Sequence, residues 1–584
     1  MFRRPSLALL VPLWLALAGG ASAEGVRLPD IGSSAGALMS PQEERNYGAS
    51  MLHELRGMNL VLDDALLDDW INDLGYRLVA HSDKDDRKYT FFIVKDKEIN
   101  AFAAPGGFIG VNAGLITITD DQDELAGVMA HEIAHITQKH LLRAFEDAQK
   151  TSLPIALAML GALIASSGAS GDAAEAVLAT GTSLIQQRQI NFTRQDEAEA
   201  DRVGIQTLAR AGFDPDAMAG FFGRMDRALR PGNDDSSYPS LLRTHPVNTS
   251  RISDAKARAE SLKRQQAASA PAVRATACGL DVCEEADYTA RSGGSDPIPA
   301  PRTAAMVAAL QAKAAAPRNA TAAPQATSRR DAWALMRERV RVLSSDNRAA
   351  TLAYYADNLR TKPEFDTPAR RYGYALALLA NNQPERALQQ LQPLLQAEPD
   401  NLAYALAQAR AELDGGQRAV ALQRYAALGQ RAPGNRAIHL AWAEALLASA
   451  DRADARRAQD LLRPLMAETD DTPDVYLVFA RACELAGDTV RAGMAHADAA
   501  YLSGRAMDAL TLLQTLARRK DLDFYQRARI EARIAEFTPV VLELRHRGVK
   551  PGSEGRQLSL QAGCDAAAPR CSGLSWGRNS TAVK

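Results

Sequence analysis

Cysteine is scarce in this sequence of 584 residues: there are five, Cys278, Cys283, Cys483, Cys564 and Cys571. None lies near the histidines, which argues against a thiolate metal site. In an oxidising compartment Cys278–Cys283 and Cys564–Cys571 are spaced for local, short-loop disulfides, which would leave Cys483 buried in a helix. An excess of one charge is missing too. The 68 basic and 70 acidic side chains leave a formal net charge of −2, so nothing in the balance points to nucleic acid as a partner. Beyond the N-terminus no segment has the roughly 20 uninterrupted apolar residues that a bilayer-spanning helix needs. A transmembrane class is therefore not expected, although peripheral contact with a membrane stays open.

A chain of this length exceeds one hydrophobic core and is expected to divide into several units. Residues 1–23 read as a secretory signal peptide: Arg3-Arg4, an apolar run from Leu7 to Ala18, and the small residues Ala21-Ser22-Ala23. No cysteine stands where a lipid anchor would need one. From 24 to 263 helical and strand signals alternate. The β-rich runs Tyr89–Val94 and Phe108–Val111, with Asn100-Ala101-Phe102-Ala103 between them and a Pro105-Gly106-Gly107 turn, predict a small sheet. Leu153–Ala165 is unusually apolar and reads as a core helix, with a lid or a membrane-facing flap as the alternative. Residues 264–327 are rich in Ala and Pro and read as a linker, and the polar tail 548–584 reads as disordered.

The chemistry lies in His131-Glu132-Ile133-Ala134-His135, within an apolar-periodic stretch that predicts a helix. Residues four apart share a helix face, so both imidazoles can reach one metal ion while Glu132 stands beside them to take a proton from water. Two histidines are too few, because catalytic zinc takes three protein ligands and keeps one position open. The next candidates lie in Arg194-Gln195-Asp196-Glu197-Ala198-Glu199-Ala200-Asp201, the start of a second helix that stops near Gly212. Glu197 and Asp201 share a face: one carboxylate can bind the ion while Asp201 orients a ligating imidazole. Spacing alone leaves Glu197 and Glu199 open. An edge strand at Asn100, Ala101, Phe102 and Ala103 beside such a helix is a place to hold an extended peptide by main-chain pairing.

Residues 328–547 read as helical and repetitive. Ala387, Ala421, Ala458 and Ala492 recur at intervals of 34, 37 and 34 residues, and Pro399 and Pro433 lie 34 apart. Ala375 and Ala409 precede their partners by twelve residues. Small residues at these offsets let paired helices approach closely, which is the tetratricopeptide pattern.

His131 to His135, Glu197 to Asp201, and Thr244-His245-Pro246 followed by Arg251-Ile252 together resemble the gluzincin metallopeptidase family of the CaaX prenyl protease and the heat-shock protease HtpX. The resemblance implies an α+β zincin-type domain, helical with a small sheet, followed here by an all-α tetratricopeptide-repeat solenoid. It implies one Zn2+ held by His131, His135 and Glu197, with Glu132 as general base and Asn100–Ala103 as the substrate-binding edge strand. It also brings His245 to the metal, either as a donor to the developing oxyanion or as a ligand that holds the enzyme latent. Together the leader, the zinc domain and the repeats resemble periplasmic members of the family. They imply unfolded or stalled outer-membrane proteins as clients and the barrel-assembly machinery as a partner of the repeats. The alternative reading is a periplasmic chaperone or assembly scaffold whose zinc site is latent or structural. His140, five residues after His135, is expected to point elsewhere and to be structural.

Overall fold

The computed structural model describes residues 40–83, 87–144, 146, 193–228, 241, 245–246, 248–269, 326–468 and 472–546. The expected leader, the apolar stretch Leu153–Ala165, most of the linker, the whole tail, and Cys278, Cys283, Cys564 and Cys571 lie outside the described residues. Cys483 is a buried free thiol in a helix.

Two capped helices open the first unit. In α1 (Pro41–Gly57), Ser40 and Glu43 form a reciprocal capping box, and in α2 (Ala65–Val79) the Asp64 side chain accepts from the Leu67 amide. A three-stranded sheet follows, made of β1 (Thr90–Val94), β2 (Ala101–Ala104) and β3 (Phe108–Asn112) in the order β1-β3-β2. The central strand β3 is wholly buried, parallel to β1 and antiparallel to β2. Gly106 and Gly107, with φ of 76° and 85°, make the turn between β2 and β3, in a region that side chains disfavour. Among the described residues β2 is thus one of the two edge strands. It begins at Ala101, and Asn100 lies just before it, its carbonyl accepting from the Asn112 amide at 3.0 Å.

The chain then turns through α3 (Ala113–Ile118) into α4 (Gln122–Thr137), which Asp121 caps by accepting from the Glu124 amide at 2.9 Å. From Glu124 to Ala134 every side chain of α4 is buried, so this helix is enclosed on all sides rather than amphipathic. Helix α5 (193–210) crosses it closely. A Cβ at Gly204 would sit 3.1 Å from the His131 backbone nitrogen, so the small residue sets how near the two helices approach. Helices α6 (Asp216–Ala228) and α7 (Thr249–Ser269) complete the unit. Helix α7 runs to Ser269, past Arg264, where composition placed the start of the linker.

Beyond it stand the helices α8 (Ala326–Leu343), α9 (Arg348–Thr361), α10 (Pro368–Ala380), α11 (Pro384–Ala397), α12 (Leu402–Asp414) and α13 (Arg418–Arg431). The array goes on through α14 (Arg436–Leu447), α15 (Arg452–Glu468), α16 (Pro473–Ala486), α17 (Thr489–Leu502), α18 (Ala506–Ala517) and α19 (Phe524–His546). From α13 onward each packs on the next. The repeating alanines occupy one site: Ala387, Ala421 and Ala458 are fully buried and Ala492 nearly so. Their partners Ala375, Ala409, Ala443 and Ala480, one per preceding helix, are fully buried as well.

This array is not a separate body on a tether. Arg339 of α8 makes a bidentate pair with the Asp64 cap of α2 at 2.8 and 2.6 Å. Arg436 of α14 reaches Asp68 and Asp69 on the same helix at 3.0 and 3.2 Å. One hydrophobic core joins Leu67 and Ile71 of α2 to Leu335, Val340 and Tyr372.

Candidate metal centre

Helix α4 sets His131 and His135 one turn apart with their Nε2 atoms 3.0 Å from each other. Helix α5 brings Glu197 to both: Oε2 lies 3.4 Å from His131 Nε2 and Oε1 lies 3.5 Å from His135 Nε2. From the turn before α7, His245 places Nδ1 2.8 Å from Glu197 Oε1 and 3.3 Å from His131 Nε2. These four side chains offer ligand atoms that all lie within 4.8 Å of one another. Donors about 2.0–2.1 Å from a tetrahedral zinc ion stand roughly 3.3 Å apart, so the spacing fits that ion. Imidazole and carboxylate donors suit zinc chemically as well.

The electrostatics agree with a cation. Burial disfavours a charged His131, but the carboxylates of Asp201 and Glu197 beside it outweigh that and lift its pKa to about 10. His135 moves the other way, pushed well below the usual range by burial and by the positive charge drawn to His131. Burial raises the Glu197 carboxyl, yet hydrogen bonds from His131 and His245 hold it far below the ordinary range. Glu132, 1% exposed, has a buried Oε1 without a hydrogen-bond partner, and His245 Nε2 lies 3.5 Å away. A buried carboxylate oxygen left so is expensive unless something polar is meant to meet it.

Two further layers hold the ligand candidates. Asp201, one turn beyond Glu197, sits 3.0 Å from His131 Nδ1 and so orients that ring from behind. Arg251 of α7 grips both Asp201 oxygens at 2.8 Å and stands 2.8 Å from Glu197 Oε2. The sequence motif contained Arg251, but nothing in its spacing disclosed this task. His140 is the second surprise. Helix α4 ends at Thr137, Lys139 takes a φ of 56°, and the chain folds back to put His140 Nδ1 2.9 Å from His135 Nδ1. The expectation that His140 points elsewhere assumed a continuous helix, and the left-handed residue breaks it. Behind His140 stand Glu199 at 3.3 Å and Arg143, which joins Asp196 and Glu199 at 2.7 Å each. Glu199 thus belongs to the support behind His135, and Glu197 faces the ring nitrogens. Arg202 pairs with Glu199 at 3.3 Å, and Arg194 is exposed.

Glu132, His135, Glu197 and His245 open onto a cleft of about 390 Å³ walled by Asn100, Ala101, Phe102, Ala103 and Ala104. The edge strand and the ligand candidates therefore share one space. Among the described residues that line this cleft, none comes from the helical array.

Residues 65–259 match the model of peptidase family M48. They form an M48 peptidase domain. All the ligand candidates fall inside the match. The putative β-barrel assembly-enhancing protease of Vibrio cholerae serotype O1 is 42% identical over 234 residues, 40% of this chain and 48% of the relative. The β-barrel assembly-enhancing protease of Escherichia coli K12 is 41% identical over 236 residues, with the same shares. The mitochondrial metalloendopeptidase OMA1 of Schizosaccharomyces pombe is 32% identical over 177 residues, 30% of this chain and 48% of that protein. The chain spans about half the length of these curated relatives, and 48% of each is matched. Among the described residues no helix is long and apolar enough to cross a membrane.

Proposed function

We propose that this chain is a zinc-dependent endopeptidase of the bacterial periplasm that removes misfolded or stalled outer-membrane proteins and aids their assembly. The observation that carries it is the meeting of His131, His135 and Glu197 on one point, with Glu132 beside them, in a cleft bordered by the edge strand β2. His131, His135 and Glu197 would hold the ion, with Asp201 and His140 keeping the two rings turned toward it. Zinc bound there lowers the pKa of water toward neutrality and polarises a carbonyl. Glu132 accepts the proton of the attacking water and delivers it to the leaving amine. Strand β2 binds the substrate main chain by adding it as a further strand, which leaves the scissile peptide beside Glu132. The leader sequence and the relatives named for β-barrel assembly support the compartment and client class. The alanine-spaced helix pairs support tetratricopeptide-type repeats that bind clients or the assembly machinery.

A second reading has its own support, because His245 Nδ1 is as close to Glu197 and His131 as a fourth ligand would be. In that reading His245 closes the coordination shell and the resting chain is latent or a scaffold. The deciding experiment measures bound zinc and casein cleavage for the full chain and for Glu132→Gln. The expected result is one zinc per chain in both and a rate at least about a hundredfold lower in the variant. Equal rates would remove Glu132 from the mechanism and with it the endopeptidase reading.

A further inference from the structure

Near the end of the array, α15, α16, α17 and α19 line a cavity of about 530 Å³. Its floor is apolar, made by Met466, Phe479 and Met494, and three arginines on three different helices edge it: Arg463, Arg491 and Arg529. Two carboxylates also line it, Asp488 and the buried Asp498, whose Oδ1 makes no hydrogen bond. Asp488 caps α17 by accepting from the Arg491 amide at 3.1 Å, and the buried Asp498 is 3.2 Å from Arg533. Among the described residues Arg463 and Arg491 meet carboxylates as solvated pairs three residues apart, with Asp460 and Asp488, which hold little energy. Arg529 has no carboxylate partner among the described residues.

Beside Arg529, at the start of α19, stand Phe524 and Tyr525, 79% and 74% exposed, with ring centroids 5.7 Å apart. Tyr525 precedes Arg529 by one helical turn, so both lie on one face. Large aromatics left in water near a cavity with an apolar floor and a rim of guanidinium groups mark an interaction surface, and aromatic and arginine side chains are the usual anchors of one.

We infer that this cavity, with Phe524 and Tyr525, is a docking site for an extended apolar peptide segment that carries carboxylate side chains. The apolar side chains enter between Met466, Phe479 and Met494, and the carboxylates meet the three guanidinium groups. The chain's own tail is a poor occupant, because residues 547–584 hold six basic residues against two acidic ones. The site is independent of the metal centre, so it stands or falls apart from the endopeptidase reading.

The test uses the full chain as Glu132→Gln, to prevent cleavage, and a labelled Leu/Phe-rich peptide in three forms bearing Glu, Gln or Lys at the same positions. The Glu form is expected to bind about tenfold more tightly than the Gln form, with an affinity that falls as salt rises. Arg491→Glu with Arg529→Glu should remove that preference and favour the Lys form. Phe524→Ala with Tyr525→Ala, both surface changes that leave the core intact, should weaken the Glu and Gln forms alike. Equal binding of the Glu and Gln forms, or an unchanged affinity after the double charge reversal, would overturn the inference. So would a large gain in affinity on deleting 547–584, which would make the tail the occupant. A change in sedimentation on Arg529→Glu alone would make it a second copy.

Discussion

Replacing Asp201 by Asn tests whether the M48 site is held from behind as its geometry implies. The carboxylate serves two buried partners, His131 Nδ1 at 3.0 Å and the Arg251 guanidinium at 2.8 Å on each oxygen. An amide of the same shape keeps one acceptor oxygen and turns its NH2 toward a partner that can only donate. His131 then loses its orientation, and Arg251, 8% exposed, is left with Glu197 as its one carboxylate and draws that ligand away from the ion. Loss of such a supporting group costs about 10- to 100-fold in metal affinity, equivalent to about 1.4–2.7 kcal/mol. The metal-free fold should lose about 2–4 kcal/mol, somewhat under the cost of removing one whole partner of a buried pair. Competition against a chromogenic chelator gives the affinity, and unfolding with and without zinc gives the stability. A variant that binds zinc within twofold of wild type would show that Asp201 does not position His131. Arg251→Lys, which keeps the charge but not the two-pronged grip, should shift both quantities in the same direction by less.

The other predictions concern His245 and the seam between the domain and the array. His245→Ala should raise basal casein cleavage if the ring closes the metal shell and lower it if the ring donates to the oxyanion, and an unchanged rate removes His245 from both roles. Arg436→Ala strands Asp68 and the half-exposed Asp69, so it should cost about 2 kcal/mol in equilibrium denaturation; a change under a few tenths would mean that this contact does not hold the array. Burial, only partly offset by Arg436, raises Asp68 from its ordinary value to about 7, and burial with the nearby Asp63 raises Asp474 to about 6. Folding therefore takes up protons between about pH 4 and 7, so the stability contributed is full below that window and lost as pH rises through 7. Unfolding of the wild type should cost about 1 kcal/mol more at pH 6 than at pH 8 on account of Asp68. Asp68→Asn should flatten that slope, and an identical slope in the variant would contradict it.

Much was legible in the sequence because it depends on spacing along one helix. Residues four apart share a face whatever else the chain does, which determined the pairing of His131 with His135 and of Glu197 with Asp201. Period and turn chemistry likewise marked the three strands, the stop at Gly212 and the alanines on which the paired helices close. Spacing could not choose between Glu197 and Glu199: two apart, they point to nearly opposite sides of one helix, and no local pattern says which side meets α4. Only the close packing of α5 on α4, permitted by Gly204, brings the first to the ring nitrogens and the second to His140. Nor could it foresee Lys139 in the left-handed region, Arg251 reaching back across some fifty residues to Asp201, or the array seated on α2 through Arg339 and Arg436. Those contacts join distant parts of the chain, and their energy comes from removing charged partners from water together. That is a property of the assembled interior, which no local pattern records.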